Sequence, residues 1–121
     1  MRRSPERDRL HLMHMHDAAQ LAQQFVKNRR RDDLDNDRIL QLGLAKALEL
    51  VGESASQISD ELKAQQTDIP WNKIIGMRHI LVHNYWRVEL DVVRETTQAD
   101  IPALIVRLQR LLELNDERRK G

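Results

Sequence analysis

The chain has 121 residues, of which 40% are hydrophobic and 32% charged, with a net charge of +1 and no cysteine. That length suits one domain around one core, read here as a single unit over 1–121 with its body at about 8–113. The composition excludes disulfides, thiolate nucleophiles and cysteine-based zinc sites. It also excludes a polycation, so contact with nucleic acid must come from local clusters of charge.

Three such clusters exist: Arg2-Arg3, Lys27 with Arg29-Arg30-Arg31, and Arg118-Arg119-Lys120. The two terminal ones read first as solvated helix ends. No apolar run approaches the roughly 20 residues of a membrane helix. The N-terminus lacks an apolar core after its arginines. The expectation is a cytoplasmic protein with no membrane partner.

In chain order, Ser4-Pro5 predicts a helix start, with serine as cap and proline at the first helical position. This helix runs to about Asn28, with Leu10, Met13, Ala18, Leu21, Phe25 and Val26 as its apolar stripe. Arg29 to Asp37 turns from three arginines to four aspartates and reads as a loop, with an Asp or Asn capping the next helix. Leu40, Leu44, Ala47, Val51, Ala55, Ile58 and Leu62 then step by three and four, predicting one continuous helical face. Gln65 to Ile69 reads as a loop.

Pro70 opens a further helix carrying Trp71, Ile74, Ile75 and Leu81, ending between His83 and Trp86. Another helical stretch covers about Leu90 to Gln98. Asp100 and Pro102 mark a fresh start or a kink, with Ile101, Leu104, Ile105, Leu108, Leu111 and Leu112 facing inward. Only four Gly, three Pro and four aromatic residues are present. The fold class is therefore all-α, an up-and-down bundle of four to five helices.

One segment concentrates polar chemistry on an apolar helix. Residues 74–86 hold Arg78, His79, His83, Asn84 and Tyr85 among isoleucines, leucine and valine. Burying such groups unpaired costs several kcal/mol, so a cluster of them on an apolar helix asks for a cause. His79 and His83 share a helix face. Arg78 and His83 are offset by about 140° on a regular helix. They meet only if the helix loosens near residues 82–84, or if a second copy completes the site as a symmetric dimer.

Arginine's planar fork suits the oxygens of a phosphorus centre gathering charge. Histidine, with an ordinary pKa of about 6.5, can take or give the protons of RNA cleavage. From residues alone, a structural role stays open, with Arg78 paired to a glutamate such as Glu53 and a histidine capping a helix end. His11, His14 and His16 have spacings a metal site could use, but only Asp17 stands near them, and no metal is expected. The His79–His83 pair lacks the glutamate of a two-histidine zinc helix.

The pattern Arg78-x4-His83-x-Tyr85 resembles the signature of the HepT-like toxins of the HEPN superfamily. The flanking Ile69-Pro70-Trp71 and Ile74-Ile75-Gly76-Met77 agree with it. Val51-Gly52-Glu53-Ser54-Ala55 is similar to the family's Gly-Glu-Ala-Ala stretch, with Ser54 in place of an alanine. The resemblance implies a homodimeric, metal-independent endoribonuclease without cofactor, whose catalytic pair maps onto Arg78 and His83. His79, Asn84 and Glu53 are supporting residues in this reading.

It further implies the toxin role in a toxin–antitoxin pair, with RNA as substrate and an MntA-like nucleotidyltransferase as antitoxin. Tyr85 would be the residue that this partner AMPylates. An amphipathic tyrosine closing the bundle is the competing reading of that residue, and Trp86 reads as packing. The alternatives from other classes are a non-catalytic HEPN module binding a nucleotide or a nucleotidyltransferase, and a helical interaction protein.

Overall fold

The computed structural model of the protein describes residues 4–82 and 90–120. The first helix, α1, spans Pro5–Val26, with Ser4 Oγ accepting from Arg7 N at 3.3 Å. It stops two residues short of the expected end. Asn28, at φ 60°, turns the chain through the left-handed region that asparagine tolerates.

The inward face of α1 matches the expected stripe in part: Ala18 is buried and Phe25 and Val26 pack against the core. Leu12, Met15, Ala18, Ala19 and Ala22 are buried, whereas Leu10, Met13 and Leu21 are exposed. The buried set faces α3 and α7, on which α1 packs.

The segment expected as a loop holds a short helix, α2, over Arg31–Asn36. The Asp33 carboxylate accepts from Arg30 N at 2.9 Å, and acidic residues in the first turn favour that helix end. The expected cap on the next helix is present. Asp37 Oδ1 accepts from Leu40 N at 3.0 Å and starts α3, Arg38–Gln57.

The helical face expected to continue to Leu62 breaks at Ile58, whose backbone is extended. Ser59 then caps α4, Asp60–Gln65. The cause lies 51 residues earlier in the chain. Buried Asp8 accepts from Ser59 N at 2.8 Å and from Ser59 Oγ at 2.6 Å. Ile58 and Leu62 stay in the core on either side of the break.

Helix α5 spans Trp71–Val82, directly after Pro70. Trp71 Nε1 donates to the Gln66 carbonyl at 2.9 Å, folding the preceding loop back on the helix. The expected end of this helix lies outside the described residues. Helix α6, Leu90–Glu95, runs through a π turn at Thr96–Asp100 into α7, Ile101–Lys120. Pro102 has no N–H for the carbonyl four residues back, and its ring crowds that carbonyl. The wider turn before Pro102 accommodates this without ending the helical run, so Pro102 follows a π turn at the start of α7. Buried Thr97 Oγ1 donates to the Val93 carbonyl at 2.8 Å across it.

Helix α3 is the centre of the bundle, packed on α1 and α5, and α1 also packs on α7. Helices α1 and α3 are antiparallel: Asp8 meets Ser59 at one end, and Phe25 lies over Gly43 at the other. Four longer helices, α1, α3, α5 and α7, enclose the core as an all-α bundle, and short helices connect them. Leu12, Met15, Leu44, Ile58 and Leu108 are its most deeply buried large side chains. Lys73–Asp100 at 2.7 Å and Arg107–Asp68 at 3.1 Å tie the start of α5 to the α7 side. Among the described residues, no helix is long and apolar enough to cross a membrane.

Candidate active site around Arg78

The site is built on the contact of α3 with α5. Gly52 is buried on α3 against Arg78. A Cβ at residue 52 would overlap the Cβ of Arg78 and lie 3.1 Å from the Ile74 carbonyl oxygen. Only glycine lets the two backbones come this close. The next residue, Glu53, places a carboxylate oxygen 2.6 Å from Arg78 Nε. No hydrogen bond of good geometry accompanies this contact, so it acts as an ion pair. The two side chains are 38% and 46% exposed, so the guanidinium is steered by Glu53 without being sealed from solvent.

His79, the next residue of α5, is exposed. The structure thus brings Arg78 and Glu53 together and leaves His79 exposed on the same helix. His83, Asn84 and Tyr85, together with Trp86, lie outside the described residues.

On the other side of Glu53, a groove of about 590 Å³ runs between α1 and α3. His11, His14 and Asp17 line it from α1; Leu50, Glu53 and Gln57 line it from α3. The His11 and His14 rings stand nearly edge to face, 6.2 Å apart at 76°. The pKa of His11 is lowered from its ordinary 6.5. Burial is the main cause, helped by His14 and Arg7 and opposed by Asp8 and Glu53. A half-buried imidazole beside positive charge prefers to be neutral. Among the described residues, no three His, Asp or Glu side chains converge as a metal site requires.

Sequence reading weighed these histidines only as a metal site and missed the groove. The signal was available in the mixed α1 face, where exposed Leu21 alternates with histidines at helical spacing.

Residues 15–111 match the family described as HepT-like, Ribonuclease HepT-like. The chain belongs to the HepT-like family. It is 30% identical over 95 residues to the "Probable ribonuclease HepT" of Thermococcus cleftensis, covering 78% of this chain and 86% of that one. It is 28% identical over 105 residues to a "Putative RNase" of Caldanaerobacter subterraneus subsp. tengcongensis, covering 87% and 94%. A "Gamma-glutamylcyclotransferase and putative RNase" of Methanocaldococcus jannaschii is 26% identical over 113 residues, covering 93% of this chain. The HepT-like chain spans about half, 51%, of that longer relative. No solved structure matches the chain. In this HepT-like protein of the HEPN superfamily, the Gly-Glu pair of α3 thus sits against Arg78: Gly52 lets the helices approach and Glu53 forms the ion pair.

Proposed function

We propose that this HepT-like chain is a metal-independent endoribonuclease with Arg78 and His83 as its catalytic pair. The observation that carries the reading is Arg78 itself. It is a guanidinium held 2.6 Å from Glu53, on a helix brought close by Gly52, with its side chain still 38% exposed. The family's relatives named as RNases support the same reaction class.

In the proposed reaction the RNA 2′-oxygen loses its proton and attacks the adjacent phosphorus. The bond to the 5′-oxygen breaks, and that oxygen takes up a proton. The products are a 2′,3′-cyclic phosphate and a 5′-hydroxyl. His83 moves protons, and Arg78 stabilises the charge on the phosphoryl oxygens. Asn84 and His79 support the substrate. Two copies of the chain meet across α5, which places both Arg78–His83 pairs in one cleft and resolves their offset of about 140°.

We further propose that the enzyme is the toxin of a pair, silenced by an MntA-like nucleotidyltransferase. The Tyr85 oxygen would bond to the α-phosphorus of ATP, releasing pyrophosphate and the phenolic proton. A bulky anion two residues from His83 would then repel RNA phosphates.

The test is RNA cleavage with EDTA present, comparing the wild type with His83→Ala at matched thermal stability. Cleavage by the wild type alone, leaving cyclic phosphate ends, is expected. Equal cleavage by both overturns the role of His83. Binding of RNA or nucleotide without any cleavage would favour a non-catalytic HEPN module.

A further inference from the structure

We infer that the groove between α1 and α3 is a base-binding subsite, which takes one unstacked nucleobase of the RNA next to the phosphate held at Arg78. This inference rests on the ribonuclease reading and adds where the enzyme would read sequence. Glu53 belongs to both places. It lines the groove and stands 2.6 Å from Arg78. A strand whose phosphate sits on the arginine therefore has its neighbouring base within reach of the groove.

The chemistry of the walls selects a base over a phosphate. Glu53 and Asp17 bring two carboxylates into the groove, which disfavours an anion. The same carboxylates accept hydrogen bonds from ring N–H and exocyclic amino groups, the pairing that acidic side chains make with cytosine N4. Leu21 and Leu50 are 43% and 40% exposed and supply apolar surface for the flat faces of a base. His11 and His14 supply the aromatic rings on which unstacked RNA bases settle. Burial keeps His11 toward its neutral form, which suits stacking better than phosphate binding. The volume, about 590 Å³, lies within the usual range for small-molecule sites.

Two readouts test this. The first follows the imidazole C–H signals of His11 and His14 by NMR while adenosine, cytidine, guanosine or uridine is added. Nucleosides carry no phosphate, so a response reports the base. The second maps the cleavage sites on a randomised RNA pool. Both are run on wild type, Leu50→Trp, which fills the groove from an exposed position, and His14→Ala.

The expected result has the three amino-bearing nucleosides shifting both imidazoles in the wild type, uridine acting more weakly, and Leu50→Trp abolishing the response. The base preference beside the cleaved bond should flatten by about ten-fold in both variants, the scale of one lost base contact. Silent imidazoles in a wild type that cleaves RNA would overturn the subsite, as would a base preference unchanged in both variants. If Leu50→Trp fails to fold, His14→Ala decides the matter. A wild type that cleaves no RNA would remove the ribonuclease reading, and the nucleoside response would then decide the groove by itself.

Discussion

Gly52 packs against Arg78 so closely that a methyl group on residue 52 would occupy the space of the Arg78 Cβ. The neighbour that would have to yield is main chain and the root of a side chain, not a flexible tip. Gly52→Ala is therefore expected to push α5 away from α3 and cost about 1–3 kcal/mol, as overpacked cores do. Gly76 on α5 is the control, because a Cβ there meets nothing within 4 Å. Gly76→Ala should be neutral or stabilise by up to about 1 kcal/mol through helix propensity. Chemical denaturation of the two variants measures the contrast, and equal effects would refute the close crossing.

The Arg78–Glu53 pair is half exposed, so its loss should change stability by less than about 1 kcal/mol. Its expected effect is on turnover. Glu53→Gln should lower kcat roughly ten- to a hundred-fold, the scale of a misplaced catalytic group. Arg78→Lys should lower it further, because an ammonium cannot reproduce the guanidinium fork. A Glu53→Gln enzyme with normal kcat and a lowered melting temperature would make Glu53 a structural residue.

Asp8 and Ser59 join the start of α1 to the break between α3 and α4. In Asp8→Ala the buried Ser59 N–H and hydroxyl both lose their acceptor. A loss of about 1–3 kcal/mol is expected for such unsatisfied groups. A double-mutant cycle with Ser59→Ala should return a coupling of about 0.5–3 kcal/mol. Additive losses would mean that the two residues act separately.

The lowered pKa of His11 predicts a pH dependence of stability. As pH falls through 6.5, the unfolded chain takes up a proton on this ring before the folded chain does. Stability contributed by the neutral ring is therefore complete above 6.5. It declines below that value and levels off once the folded ring also titrates. His11→Gln should flatten the difference in melting temperature between pH 7 and pH 5. An unchanged slope would place the buried-ring effect elsewhere.

Periodicity alone determined that the chain is helical, roughly where α1, α3, α5 and α7 lie, and which face α7 buries. Those features are legible because backbone hydrogen bonds and the apolar period are local. The Arg-x4-His-x-Tyr pattern marked Arg78, since a motif is local as well. Other features were decided only in three dimensions. The inward face of α1 depended on its packing against α3 and α7, which buried Leu12, Met15 and three alanines and left Leu10, Met13 and Leu21 exposed. The break at Ile58 depended on Asp8, 51 residues from its partner. The site depended on Gly52 admitting Arg78, and on Glu53 facing both that arginine and the histidine groove. Each of these is a contact between helices distant in sequence, where the outcome follows from shape and charge that neither helix carries by itself.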